Sequence, residues 1–306
     1  MKKKVIVFGG CGFLGGYVVN ELENRGYDAL AVDIKPSEYV DEVLFRKCDI
    51  MDLRSTREII GEDVDYVYNF AGFANLDQSV FYPVETINLN IVGNLNILEA
   101  CKNKNVRKLV FASSSYAMND KGSFYGISKL SSEKIIEEYQ KLYGLKYTII
   151  RYGSVYSERE FENNYIYQLI KKAVDQGKII HDGDGEEVRE YIHAADAAKL
   201  SVDVIESERY DNQHIVLTGV ERMKRRELFG MIKEILNDQV EIIFKKNGYK
   251  NHYKITPYSF HPTLSKKLVA NPYIDMGQGL LECVKEVYRK NEPGEDRTKM
   301  DFSLLK

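Results

Sequence analysis

The run KVIVFGGCGFLGG, residues 4–16, constrains the fold more than any other stretch. Its first apolar residues read as a buried strand, and the spacing over Phe13–Arg25 reads as a helix that Gly26 stops. Between them Gly9, Gly12 and Gly15 form G-x-x-G-x-x-G. Gly9 permits a tight strand-to-helix turn, Gly12 lets a pyrophosphate approach the backbone, and Gly15 lets the helix pack closely on its strand. Free N–H groups at the helix start then hold phosphate. Asp33 ends the next apolar strand (28–33), 18 residues after Gly15. A carboxylate there accepts hydrogen bonds from the adenosine ribose and repels a 2′-phosphate, which favours NAD over NADP. Lys35 weakens that discrimination slightly. Asp49, in RKCDIMD, either approaches the adenine or caps the following helix.

The alternation continues. Val43–Phe45 reads as a short strand, Leu53–Ile60 as a helix and 64–72 as a strand. The pattern predicts a long helix over Pro83–Asn103, since proline is tolerated in a first turn. Strand 107–114, helix Ser128–Tyr143 and strand 146–151 follow. This order predicts an α/β, Rossmann-type doubly wound parallel sheet covered on both faces. Beyond it, 163–176, 193–206, 225–236 and 276–288 read as helices, 213–219 as a strand returning to the first sheet, and 240–244 as another strand. Residues 245–275 read as irregular and aromatic-rich, and 291–306 as a polar tail. The expected organisation is an NAD-binding domain over 1–155 and about 188–219, with a smaller C-terminal substrate lobe from about 156–187 and 220–300.

Composition excludes several classes. With 306 residues and a net charge of −3, no basic footprint for nucleic acid or an anionic membrane is expected. No apolar run reaches about 18 residues, so no membrane span is expected. The apolar stretch after Lys2–Lys4 is short and broken by glycine, unlike a signal peptide. Cys11, Cys48, Cys101 and Cys283 are scattered, and the histidines show no ligand spacing. Free thiols, a cytoplasmic location and no metal are the expectation.

Tyr125 and Lys129, in FYGISKL, stand four apart and share a helix face. A phenol of pKa about 10 is a poor base at neutral pH, and a nearby ammonium lowers it. The pair can move a proton on or off a substrate hydroxyl while hydride moves to or from nicotinamide. Lys129 can also bond the nicotinamide ribose. About ten residues earlier, Ser113, Ser114 and Ser115 lie at the carboxyl end of a predicted parallel strand, where open α/β sheets place their ligands. A hydroxyl there can hold the reacting C–OH or C=O in line with Tyr125.

These motifs together resemble the extended short-chain dehydrogenase/reductases, the NAD-dependent epimerase/dehydratase group acting on nucleotide sugars. NLNIVGNLNILEACK (88–102), RYGSVY (151–156) and GDGEEVREYIHAADAAK (183–199) extend the resemblance, which covers residues 1–200 and fades after about 220. It implies Ser114, Tyr125 and Lys129 as the catalytic set. It implies NAD against Gly9, Gly12, Phe13, Leu14, Gly15, Asp33, Ile34, Asp49, Ile50, Ala71, Gly72, Tyr125, Lys129 and Tyr152. Ser114, Ser115, Tyr116, Ser154 and Arg189 are implied on the substrate side, Arg189 on its phosphates or, alternatively, in a surface ion pair with Glu186 or Glu190. Asn90 matches a buried structural asparagine. Helices at about 83–103 and 124–143 resemble those that form a homodimer interface in this family.

The departures bear on the reaction. Dehydratases of this family carry Asp–Glu directly after the catalytic hydroxyl, and here Ser115 and Tyr116 stand there. The usual V-Y-G is Ala117–Met118–Asn119, the family's asparagine is Ser154, its aspartate is Glu190, and R-P-G-D is missing. In its place NHYKITPYSFHP (251–262) offers Tyr253, Lys254 or Tyr258 to the nucleotide. The resemblance thus implies an NAD-dependent epimerase of a nucleotide-diphosphate sugar, acting at C4 through a transient 4-keto sugar. The alternatives are an NAD(P)-dependent reductase or dehydrogenase of a nucleotide-linked keto-sugar and a non-catalytic NAD-binding regulator.

Overall fold

Residue by residue, the first half builds a parallel sheet by strand–helix–strand steps. The computed structural model describes residues 2–102, 104–118, 121–220, 222–245, 252–254, 266–269 and 274–291. In chain order the elements are β1 (Lys4–Phe8), α1 (Phe13–Asn24), β2 (Asp28–Asp33), β3 (Phe45–Lys47), α2 (Leu53–Ile59), β4 (Tyr66–Asn69), α3 (Leu76–Ser79), α4 (Pro83–Ile87), α5 (Gly93–Cys101), β5 (Lys108–Ser114), α6 (Ser123–Tyr143), β6 (Tyr147–Tyr152) and β7 (Ser154–Tyr156). Then come α7 (Tyr165–Gln176), β8 (Lys178–Asp182), β9 (Val188–His193), α8 (Ala194–Glu206), β10 (Gln213–Thr218), β11 (Arg222–Lys224), α9 (Arg225–Ile235), β12 (Glu241–Lys245), β13 (Lys266–Val269) and α10 (Met276–Asn291).

Eight strands form one sheet in the order β13-β10-β6-β5-β4-β1-β2-β3. Every pairing in it is parallel. Parallel sheets need both faces covered. On one face α1 and α8 bury Val18, Leu22, Ala197 and Val202 against Val5, Val7 and Ile215. On the other, Ile60 from the turn after α2, Ile97 and Leu98 from α5 and Ile136 from α6 meet Ile6, Phe8, Val67 and Leu109. Each buried valine, leucine or isoleucine among them contributes about 1.5–3 kcal/mol. The order reverses between β1 and β4, which opens a crevice at the strands' carboxyl ends.

The C-terminal half adds a core of its own, with Tyr156, Tyr167, Phe229, Leu280 and Val284 packed together beneath α7, α9 and α10. Two small sheets serve it, β11-β9-β7 and β12-β8. Of their strands, β12 answers the strand expected over 240–244, while β7, β8, β9 and β11 were not read as strands in the sequence. The expected return of 213–219 to the main sheet is realised by β10.

Several details depart from expectation, beginning with the strand read at Val43–Phe45, which lies at Phe45–Lys47 behind a 3-10 turn over Glu42–Leu44. The long helix over 83–103 is not uniform: a π-helical turn, Asn88–Val92, separates α4 from α5. α6 begins at Ser123, five residues before the expected start. Within the stretch read as irregular, 266–269 is the edge strand β13 beside β10. Tyr258 and the tail after residue 291 lie outside the described residues.

Candidate active site

The glycine loop closes over itself. Gly9 turns with φ +73°, and a Cβ there would stand 2.5 Å from the Ala71 nitrogen. A Cβ on Gly15 would lie 2.1 Å from the Gly9 carbonyl oxygen, so only glycine lets α1 pack this tightly. At Gly12, the α1 N-cap, a Cβ would meet just that same carbonyl, at 3.1 Å, and otherwise face open space. The first N–H groups of α1 therefore line a cleft that a pyrophosphate can enter. Asp33, at the end of β2, accepts from the Cys11 and Ile34 amides at 3.1 and 2.8 Å. Burial raises its carboxyl pKa, and these two amides oppose the shift. They also fix the side chain beside the loop. Asp49 accepts from Met51 N, while the cap of α2 is Asp52, so the helix-cap alternative for Asp49 falls away.

All these groups line one cleft of about 430 Å³. Every residue expected against NAD borders it: Gly9, Gly12, Phe13, Leu14, Gly15, Asp33, Ile34, Asp49, Ile50, Ala71, Gly72, Tyr125, Lys129 and Tyr152. Tyr152 is fixed from behind by its hydroxyl's bond with Ser201 (2.7 Å). The loop after β4 is held by Asn90, whose side chain accepts from Phe73 N (2.7 Å) and donates to Phe73 O (3.1 Å) and the Ser128 hydroxyl (2.8 Å). The π-helical turn brings Asn90 to this position.

At the inner end of the cleft, the Tyr125 hydroxyl is hydrogen-bonded to Ser114. Burial pushes the phenol above its ordinary value, and the Ser114 bond only partly offsets this. The expected softening by Lys129 is not found: burial dominates at the phenol. Lys129 Nζ lies 5.9 Å from the Tyr125 ring centre and donates to the Ala112 carbonyl at 2.9 Å. Burial lowers the Lys129 ammonium itself to about 8, with Glu133 opposing. Burial thus disfavours the charged form of both groups.

The substrate-side residues divide. Ser115 bonds the Tyr253 hydroxyl at 3.2 Å, and Tyr116 bonds His252 at 2.7 Å, so the 252–254 segment lies over the serine strand end. Tyr116 also packs edge-on to Tyr125, ring centres 6.5 Å apart. Arg189 is 2% exposed, stacks 4.2 Å over Tyr253, and leaves Nη2 buried without a hydrogen-bond partner among the described residues. The surface pair with Glu186 or Glu190 is not formed: Glu186 pairs with Lys224 and Arg226, Glu190 with Arg222 and Lys267. Ser154 is half-buried at the start of β7, next to Gly153 of the cleft.

Glu133 escaped the sequence reading although it is fully buried beneath Lys129. The available signal was its spacing, one turn after Lys129, on a helix face that had to meet the sheet. A second cluster, Glu158, His193 and Glu282, brings possible ligand atoms within 4.8 Å of one another. His193 Nδ1 accepts from Ala195 N, which leaves a neutral ring's proton on Nε2, 3.2 Å from Glu158. With Nδ1 already accepting a hydrogen bond, Nε2 would have to give up its proton to hold a cation, which makes it a poor metal ligand.

Comparison with known proteins agrees with this geometry. A UDP-glucose 4-epimerase of Lactobacillus helveticus is 31% identical over 227 residues, 63% of this chain and 69% of that protein. The Thermotoga maritima UDP-glucose 4-epimerase, solved with UDP-glucose, superposes with a TM-score of 0.80 at 26% identity, covering 94% of this chain and 100% of that one. A UDP-N-acetylglucosamine 4-epimerase from Methanobrevibacter ruminantium, in complex with UDP-N-acetylmuramic acid, gives 0.81 at 26% identity over 95% and 100%. The family model described as NAD dependent epimerase/dehydratase matches residues 5–219, which include the glycine loop, Asp33, the serine strand end and the Tyr125–Lys129 helix, and the chain belongs to that family.

Proposed function

We propose that this chain is an NAD-dependent epimerase that inverts C4 of a nucleotide-diphosphate sugar. The carrying observation is that one cleft runs from the glycine loop and Asp33 to the bonded Ser114–Tyr125 pair with Lys129 beside it. The open cradle at Gly12 and the fixed Asp33 carboxylate suit NAD, which when bound accepts hydride from C4 and returns it. Tyr125 takes the C4 hydroxyl proton as hydride leaves and restores it afterwards. Ser114 holds the oxygen in line. Lys129 bonds the nicotinamide ribose and favours the phenolate once positive charge enters the cleft. The resulting 4-keto sugar turns within the pocket and receives hydride on its other face.

The unpartnered Nη2 of Arg189 supports a diphosphate contact, since a buried guanidinium N–H is costly without an acceptor. Ser115, Tyr116 and Ser154 complete the substrate side. Serine and tyrosine after Ser114 supply no carboxyl pair for elimination, which disfavours dehydration. The division into lobes is part of the same proposal: 1–155 and about 188–219 for NAD, about 156–187 and 220–300 for the nucleotide sugar. Exposed Val84 and Ile127, on α4 and α6, support a homodimer through those helices. No helix among the described residues is long and apolar enough to cross a membrane, and a cytoplasmic location is part of the proposal.

The test is direct. Protein purified without added cofactor is expected to carry NAD and to interconvert UDP-glucose and UDP-galactose, or their N-acetyl counterparts. Turnover that requires added NADPH and yields a net reduced product would replace this reading with the reductase.

A further inference from the structure

Lys129 and Ser114 stand on different elements, and one buried carboxylate reaches the neighbourhood of both. Glu133 is 0% exposed and lies one helical turn after Lys129 on α6. It accepts from the Ser113 hydroxyl at 2.5 Å and from Arg151 Nε and Nη2 at 2.9 and 2.6 Å. Ser113 directly precedes Ser114 on β5, and Arg151 comes from β6. We propose that Glu133 is a positioning residue for the reaction: it keeps the Lys129 ammonium charged inside an apolar cleft wall and clamps the β5 end that presents Ser114 to Tyr125. This rests on the proposed roles of Lys129 and Ser114.

The physical case begins with burial. Lys129 is 5% exposed, against the Phe111 ring at 4.9 Å, and its one hydrogen bond to a carbonyl is a weak substitute for water. A negative charge fixed nearby offsets part of that loss. The groups facing Glu133 are Arg151 from β6, His214 from β10 at 3.6 Å, and Lys129 on its own helix. Tyr147 of β6 also feels its charge. His214 is held below its ordinary value chiefly by burial, and it also contacts Glu137. It therefore titrates well below Lys129, and the two events are separable.

The test follows the Lys129 side chain by carbon-13 NMR of the NAD-loaded protein, its resonance assigned by loss in Lys129→Arg. In Glu133→Gln the titration midpoint is expected to fall by about one pH unit. In Arg151→Gln, where the carboxylate is left unshared, the midpoint is expected to rise. This second variant keeps the test alive if the first does not fold. The pH–rate profile of Glu133→Gln is expected to lose activity several-fold at pH 8 and much less at pH 6.5, with its alkaline limb moved down. An unmoved midpoint in Glu133→Gln, or a shift of the same sign in both variants, overturns the proposal. The NMR readout needs no turnover, so failure of the epimerase reading leaves it interpretable.

Discussion

In the proposed reaction Tyr125 has to ionise where burial opposes it, with Ser114 as its bonded partner. Tyr125→Phe is expected to lower turnover roughly 10²–10⁴-fold while NAD stays bound. A variant within a few-fold of the native rate would remove the acid/base assignment. Lys129 gives a second residue-scale expectation. Its folded value of about 8 lies below the ordinary 10.5, so the unfolded chain binds its proton more tightly. The folded protein thus carries the full penalty below pH 8 and sheds it between pH 8 and 10.5. Lys129→Met is expected to raise stability at pH 7 by about 2 kcal/mol, allowing for the lost bond to Ala112, while abolishing turnover. Chemical denaturation measures it; a destabilised variant would contradict the cost assigned to this ammonium. At Gly15 an added methyl would meet the Gly9 carbonyl, so Gly15→Ala is expected to cost about 1–3 kcal/mol and to weaken NAD retention.

At the scale of elements, the π-helical turn between α4 and α5 matters because it delivers Asn90 to the Phe73 backbone and to Ser128 of α6. Asn90→Ala leaves those buried groups unpaired and is expected to cost about 2–4 kcal/mol. A melting curve close to the native one would show that these bonds do not hold the loop. For the proposed homodimer through α4 and α6, Val84→Glu with Ile127→Glu is expected to yield monomers in sedimentation, while a persisting dimer would send the interface elsewhere. The glycine turn, Asp33 and the Tyr125–Lys129 spacing were legible because each is local: at most one strand–helix–strand step contains the whole geometric demand. The π turn was not, since it answers to the β4 loop and α6. Nor was the burial of Arg189, which depends on Tyr253 lying over it. Glu133 reads as an ordinary helix-surface acid until Arg151, 18 residues on, comes alongside.

For the whole molecule, acid is expected to be more damaging than mild alkali. His181 and His214 are both held below 6.5, in each case mainly by burial. Between those lowered values and 6.5 the unfolded chain binds the extra protons, so stability drains as the pH falls from 6.5. The melting temperature is expected to drop from pH 7 to pH 5, and His214→Gln is expected to flatten that slope; an unchanged slope would reassign it to other groups.

The edge strand β13 has a consequence for how the chain is made. It reaches β10 from residues 266–269, almost fifty positions after β10 ends. A nascent chain of about 220 residues leaving the ribosome already holds every other strand of the large sheet, yet exposes the unpaired rim of β10 to its neighbours on a polysome. Cutting the protein after residue 219 would make that temporary stickiness permanent.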